Sequence, residues 1–495
     1  MIQEKIQKIV QNREAFGKSF RVYEKAYQIA DFRCTFFPAK NHIGFYLVVW
    51  SKVSNLPFEN PCFSQLDEEG VCTVYPFDLV NYRALTQFFP SLRPVTFNHR
   101  PSFGCGDRLG MVSAAHLKAL AEFPVFPVIA QQSPRELERT QRTFQDVLLG
   151  AVWGILESGY QGPFGADADH VKEEKYLLEA RNLGFSMYTL DVSENVAYSA
   201  LTWPEHELSR RYETLTTEER EIFKYYEGKS LRLSESVRVN FEGTKLLPLV
   251  LAYLPAIERV EYLYHLLKEE LSSFDLEISL DEGGILTSKE AHFFVAEELH
   301  RRGIDFRSLA LRFPGAFEKG IDYLGDLQEF AQALRQHMVV VRNIGGYRLS
   351  LHSGSDKFSV YPVFFRETGG IFHLKTSGTS WLEALMVVAE KNPGLFHRVY
   401  RIAYETFEEN CRAYQLSVKK ETIPEDLRNV PEKDFPLLLR DTAIRQFFHV
   451  AYGSILGRVG PEIRQFLFAE EAQHYARVCE NIKRHLAVLF GREKG

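Results

Sequence analysis

Gly165-Ala166-Asp167-Ala168-Asp169-His170 sets two carboxylates and an imidazole side by side, just after the Gly162-Pro163 turn and just before the helical run Val171–Ala180. If Phe164–Ala168 is a strand, Asp167 and Asp169 project from one face, because strand side chains alternate. His170 then stands where the strand opens into its loop. Alone, the stretch has a second reading in which Asp169 caps the following helix. Its companions in the chain decide between the two.

From about residue 95 onward, short strand-like runs end in polar or charged residues, and each leads toward an amphipathic helix. In order these runs close on Ser102–Arg108, Val128–Ser133, Gly165–His170, Tyr188–Val192, Leu276–Glu282, Leu309–Phe313, Leu349–Asp356 and Ile371–Ser377. Helices are expected at Pro134–Leu156, Ser288–Arg301 and Asp326–Arg342. Serial βα units argue for a closed (β/α)8 TIM-type barrel over an open sheet. Neither a GxGxxG fingerprint nor a Walker pattern favours a nucleotide-binding sheet.

Outward from the barrel, residues 1–94 read as an N-terminal α+β unit, with amphipathic Ile2–Phe16 and Tyr23–Ala30, strands at Gly44–Trp50 and Val71–Tyr75, and a helix near Phe77–Phe89. The barrel is assigned to 95–392. Residues 193–273, too long for one crossover, form an insertion with helices at Thr216–Tyr226 and Leu246–Leu271 and an extended piece at Leu231–Asn240. Residues 393–495 form a helical C-terminal extension (Pro393–Gln415, Asp441–Leu456, Ile463–Phe490), suited to cover a barrel face or make a homo-oligomer contact.

Composition narrows the function classes. A net charge of −6 without a Lys/Arg-rich run gives no sign of nucleic-acid or anionic-membrane binding. No apolar run reaches the ~20 residues of a membrane span, and the N-terminus lacks a signal peptide's apolar core. Cys34, Cys62, Cys72, Cys105, Cys411 and Cys479 form no CxxC pair, which fits a reducing, cytoplasmic setting.

In such barrels the active site forms at the C-terminal ends of the strands. There the chain places Asp107, Arg108, Gln131, Gln132, Asp169, His170, Asp191, Asp281, Glu282, Arg312, His352, Ser353, Ser355, Asp356, His373 and Lys375. Strand phase turns Leu276, Ile278 and Leu280 toward the outer helices and Glu277, Ser279 and Asp281 inward, with Glu282 at the rim. By the same argument Ser350 and His352 share an inward phase, as do His373 and Lys375. His170, His352 and His373 are therefore expected to hold a divalent metal, and imidazole with carboxylate suits Zn, Mn, Fe, Co or Ni better than Ca. Arg108, Arg312 and Lys375 offer charge for a substrate carboxylate or phosphate, and Gln132, Ser353 and Asp356 offer polar contacts. Cys105 reads as a packing residue and His449 as a core histidine.

Four runs carry a resemblance: Ser102-Phe-Gly-Cys-Gly-Asp-Arg-Leu-Gly110, Phe164-Gly-Ala-Asp-Ala-Asp-His-Val-Lys172, His352-Ser-Gly-Ser-Asp-Lys-Phe-Ser-Val-Tyr-Pro362 and His373-Leu-Lys-Thr-Ser-Gly-Thr-Ser380. From about Ser102 to the C-terminal helices the chain resembles the tagaturonate epimerase family. The resemblance implies a metal-dependent epimerase interconverting D-tagaturonate and D-fructuronate, with C4 epimerisation of fructose and tagatose also associated with members. It further implies Asp169 as proton acceptor, His170 as metal ligand and a second acid at Asp281-Glu282. The resemblance favours Glu282 for that acid, and strand phase favours Asp281. The inverted carbon lies β to the ketone, so its C–H is not acidified. Retro-aldol cleavage and re-addition is the expected route, needing a Lewis acid, a base and an acid. The competing readings are a metal-dependent aldolase, an aldose–ketose isomerase, and a non-catalytic carbohydrate-binding protein.

Overall fold

The computed structural model describes residues 2–11, 20–53, 55–97, 100–241, 245–412, 414 and 416–492. Sixteen strands occur among them. β1 (Arg21–Val22), β2 (Tyr27–Ile29), β3 (Cys34–Lys40), β4 (Phe45–Ser51), β5 (Phe63–Asp67) and β6 (Gly70–Pro76) form an antiparallel sheet in the order β1-β3-β4-β6-β5, with β2 also paired to β3. β7 (Ser102–Cys105), β8 (Phe126–Gln132), β9 (Gly165–Val171) and β10 (Met187–Asp191) then begin the barrel. After the short hairpin β11 (Ser230–Arg232) and β12 (Arg238–Asn240), β13 (Asp275–Ser279), β14 (Ser308–Ala310), β15 (Arg348–Leu351) and β16 (His373–Thr376) complete it. The eight close in sequence order, so all the expected barrel strands are present and the fold is a (β/α)8 barrel.

By contact density the chain divides into two compact units, one of residues 1–95, 105–166 and 377–484, the other of 96–104, 167–376 and 485–495. In the first, Val48, Trp50, Cys72 and Val74 of the antiparallel sheet pack with Ile6 and Val10 of the helix Ile2–Gln11. Of the helix expected over Ile2–Phe16, residues 12–16 lie outside the described residues. Tyr23–Ala30, expected as a helix, instead supplies β2, whose Tyr27 and Ile29 register against Phe36 and Cys34. Available strand partners overrode local propensity there.

The expected single helix Pro134–Leu156 is two, Pro134–Thr140 and Phe144–Ser158. Gln141 adopts a left-handed conformation (φ 54°), and Thr143 with Asp146 forms a capping box that restarts the helix. The C-terminal segments also re-divide, into Pro393–Glu405, Phe407–Cys411, Thr442–Val450, Tyr452–Ala469 and Glu471–Leu489. Trp381, Phe396, Phe447 and Phe448 bury their rings in that helical core, each contributing roughly 1.5–3 kcal/mol through lost water contact.

In the second unit the insertion contains helices Glu205–Glu213, Thr217–Tyr226 and Leu246–Lys268 together with the β11–β12 hairpin. No helix among the described residues is long and apolar enough to cross a membrane.

Candidate active site

The second unit gathers the chemistry of strands β9, β10, β13, β15 and β16. In β9 the chain departs from regular alternation. Asp167 and Ala168 register with Met187 and Tyr188, but Val171 registers with Leu190, so Asp169 and His170 together face Thr189. His170 takes a left-handed backbone conformation, φ 49°. This is a β-bulge, which re-aims a side chain beside a functional site. Adjacent strand residues would otherwise point to opposite faces; here Asp169 and His170 both reach groups on the same barrel mouth.

Lys375 anchors the interior. Its Nζ lies 2.7 Å from Asp167 Oδ2, 2.7 Å from Asp169 Oδ1 and 2.8 Å from Glu277 Oε1. Burial opposes its charge, but these carboxylates outweigh burial and hold its pKa well above the usual value. Burial pushes Asp167 up to about 6 despite Lys375. Burial pushes Asp169 the same way, yet Lys375, His170 and His352 prevail and hold it down to about 2. Two carboxyls two residues apart are thereby driven in opposite directions.

His352 lies between Glu277 and Asp281, with Nε2 2.6 Å from Glu277 Oε1 and Nδ1 2.9 Å from Asp281 Oδ1. Burial would lower its pKa, but the two carboxylates raise it to about 10. Asp281, which also accepts from Ser279 Oγ at 2.5 Å, is held far below the carboxylate range despite its burial, chiefly by His352. The His170 ring centroid is 4.7 Å from that of His352. His170 Nδ1 is 3.5 Å from Asp191 Oδ2, which also pairs with Lys172 Nζ at 3.3 Å; among the described residues neither atom closes a hydrogen bond, nor does the buried Glu277 Oε2.

Two sets of donor atoms lie within 4.8 Å of one another: His170, Asp281 and His352; and His170, Asp191 and Glu282. Six carboxyls, those of Asp167, Asp169, Asp191, Glu277, Asp281 and Glu282, meet the cationic groups of Lys172, Lys375 and His352. Imidazole plus carboxylate, excess negative charge and unspent nitrogen and oxygen atoms fit a borderline divalent cation. A bond from His352 Nε2–H to Glu277 would fix the tautomer that turns the Nδ1 lone pair toward Asp281, as carboxylates behind ligating histidines do.

A model of the tagaturonate epimerase family matches residues 23–489. The chain belongs to the tagaturonate epimerase family. It is 42% identical, over 97% of its length and 99% of the relative's, to the tagaturonate/fructuronate epimerase of Thermotoga maritima. Among solved structures it resembles the glycerol-complexed fructuronate-tagaturonate epimerase of Cohnella laeviribosi, with a TM-score of 0.89 and 31% identity over 99% of both chains. The native crystal structure of that enzyme matches with a TM-score of 0.88 and 32% identity, over 98% of this chain and 99% of the other.

In this member of the tagaturonate epimerase family, an isomerase, the structure redistributes several expected roles. His170 and His352 are brought together with Asp281; His373 is not in that group. It precedes Lys375 by two residues on β16, which puts it about 6–7 Å deeper along the strand. There its Nδ1 meets Ser102 Oγ at 2.7 Å, its ring stacks on Phe97, and burial lowers its pKa to about 3. Lys375, expected to receive a substrate carboxylate, is already committed to protein carboxylates. Arg108 is likewise spent: Nε is 3.1 Å from Glu136 Oε1, Nη1 donates to the His449 carbonyl, and the guanidinium stacks 3.8 Å over Tyr452. Asp356 (φ 60°) belongs to the loop after β15, where its N–H donates to His485 Nε2 at 2.9 Å. Gln132 accepts from Arg142 Nη1 at 3.0 Å and keeps Nε2 without a hydrogen-bond partner among the described residues.

Arg312 differs from these cations. Its guanidinium makes no hydrogen bond or ion pair among the described residues, although its field reaches the Tyr198 phenol. Lys319, which sequence reading passed over because it lies in a loop without periodic signal, donates to Ser353 Oγ at 2.7 Å. Glu277 was legible as inward-facing, but its part in orienting His352 depends on a residue 75 positions away.

Proposed function

We propose that this chain is a divalent-metal-dependent epimerase interconverting D-tagaturonate and D-fructuronate at the carbon β to the ketone. The observation that carries the reading is the bulge that sets Asp169 and His170, one a carboxylate and the other a metal-ligand type, on one barrel mouth beside His352 and Asp281. The names of the Thermotoga maritima and Cohnella laeviribosi relatives supply the substrate pair.

His170, His352 and Asp281 would hold the ion, with Asp191 and Glu282 as the alternative partners of His170. Bound there, it supplies Lewis acidity toward substrate oxygens. Asp169, ionised at neutral pH, takes the proton of the hydroxyl on the carbon to be inverted. The electron pair of that O–H bond forms the aldehyde C=O, and the adjacent C–C bond breaks toward the ketone fragment. After the aldehyde turns its other face, the bond re-forms and the alkoxide recovers a proton. Because His352 holds Asp281 ionised, Glu282 at the rim is the better donor of the two. Arg312 and Lys319 are the cations at hand for the substrate carboxylate, since Lys375 and Arg108 are committed elsewhere. The same route accommodates fructose and tagatose, which lack the carboxylate those cations would hold.

The test is metal analysis together with product analysis on tagaturonate and on fructose, before and after chelation. The reading expects one epimeric product per substrate, lost on chelation and restored by a divalent ion. Solvent hydrogen appearing at the inverted carbon would overturn the retro-aldol route, and full activity in metal-free protein would overturn the metal.

A further inference from the structure

The first unit contains a cavity of about 480 Å³ lined by none of the residues proposed to hold the metal or move the proton. Phe45, Phe77, Leu109, Met111, Leu149 and Phe468 give it an apolar wall, and Arg142, Arg464 and His42 are among its polar lining residues. Arg142 lies in the break between the helices Pro134–Thr140 and Phe144–Ser158. Nη1 donates to the Asp107 carbonyl at 2.6 Å and to Gln132 Oε1 at 3.0 Å, and Nη2 donates to the Asp146 carbonyl at 3.0 Å. Gly110 (φ +71°) permits this placement, because a Cβ there would stand 2.8 Å from Arg142 Nη2.

Arg464 comes from the helix Tyr452–Ala469 and makes no hydrogen bond or ion pair among the described residues. Burial depresses the pKa of both guanidinium groups, and Arg464 adds like-charge repulsion to Arg142. Asp107 lends its field to both guanidiniums and Asp146 to Arg142, but among the described residues no carboxylate oxygen bonds either of them. Asp107 accepts from the N–H groups of Leu109, Gly110 and Val112, and Asp146 Oδ2 accepts from Thr143 N at 2.8 Å and Oγ1 at 2.9 Å. Lys40 also lines the cavity, with its ammonium spent on Glu157 and Glu471. His42 stands in a turn that Asn41 Oδ1 holds by accepting from the N–H groups of Ile43 and Gly44, and its buried Nδ1 has no hydrogen-bond partner among the described residues.

Two half-buried guanidiniums on one cavity, one of them unpaired, are costly unless an anion meets them. A guanidinium fork matches carboxylate and phosphate oxygens in the same bidentate way. We propose that this cavity is a binding site for a small anionic molecule, its carboxylate or phosphate held between Arg142 and Arg464 and its body against the apolar wall. The volume admits a molecule of sugar-acid or sugar-phosphate size.

The test titrates the full-length protein calorimetrically with inorganic phosphate and, separately, with glucuronate, and follows the melting temperature in each. Saturable binding is expected, weakened about tenfold or more in Arg464→Ala. The anion should raise the melting temperature of the original chain but not of the variant. His42→Ala, run in parallel, reads a smaller loss from the other wall. Dependence on Arg464 separates this cavity from any glucuronate held at the barrel mouth. Response to phosphate alone assigns a phosphate ligand, and response to glucuronate alone assigns a carboxylate. If neither anion binds with any dependence on Arg464 or His42, or if Arg464→Ala melts higher than the original chain and titrates identically, the proposal is wrong.

Discussion

Two buried lysines sit among carboxylates in this protein, and they differ in what their neighbours have left over. Lys40 lies between Glu157 and Glu471 and donates a further hydrogen bond to Tyr475 Oη at 2.7 Å. Trp153 and Tyr475 donate to Glu157 Oε2, while Tyr23 and Arg21 donate to Glu471. Rings of Tyr23 and Tyr475 flank the ammonium at 5.2 and 5.1 Å. Lys375 gathers Asp167, Asp169 and Glu277, but there, among the described residues, Glu277 Oε2 and His170 Nδ1 make no hydrogen bond, and two imidazoles stand among the acids. Carboxylate density alone therefore does not mark a functional centre. Unspent donor and acceptor atoms beside imidazoles do, because only they can take up a ligand without breaking the fold.

The sharpest way to break this contrast is to remove one group from each cluster. His352→Ala should lower turnover by about 10²–10⁴-fold and abolish stoichiometric metal, read by steady-state kinetics and elemental analysis. Asp169→Asn should lower turnover within the same range while retaining the metal. Lys40→Met should instead destabilise the fold by roughly 3–5 kcal/mol, since it strands two buried carboxylates, with turnover per folded molecule unchanged. If Lys40→Met removed activity without shifting the melting curve, the two clusters would not differ as argued.

A gentler probe is pH. In metal-free protein His352 carries a pKa of about 10 against about 6.5 in an unfolded chain. The folded state therefore binds more protons between those values. This stabilisation, of the order of a few kcal/mol, is complete below about pH 6.5 and lost as pH rises through about 10. Asp169, held at about 2, stabilises above its unfolded value near 4 and loses that contribution as pH falls through 2. Thermal melts of chelated protein across this range check both signs. Metal competes with the proton on His352, so metal affinity should climb with pH.

The smallest effect is expected at the unpaired cation of the mouth. Arg312→Ala should raise KM for a hexuronate by about tenfold, the worth of one charged hydrogen bond, and leave a neutral ketose nearly unaffected. Equal losses on both substrates would separate Arg312 from carboxylate recognition.

Much of the barrel was legible before any coordinates. A two-residue period is a local property, so Leu276, Ile278 and Leu280 against Glu277, Ser279 and Asp281 revealed both the strand and its inward face. The helix start at Thr143 is equally local, but Gln141 carries no obvious break signal, so the sequence pattern runs one helix through it. The short strands β2, β3 and β5 were not legible, since their extended state depends on partners in the sheet rather than on their own pattern.

What the sequence by itself determined was therefore which residues reach the barrel mouth: Asp169, Asp281 and His352 follow from strand order and phase, and His170 from its place at the strand's end. Tertiary structure alone decided how they meet. The register of β9 against β10 created the bulge that turns Asp169 and His170 the same way, and depth along β16 set His373 below the mouth. Pairing across the barrel tied up Lys375 while leaving Arg312 without an ion pair among the described residues. Phase repeats within a strand, whereas height and charge pairing depend on strands that are far apart in sequence and adjacent only in the fold.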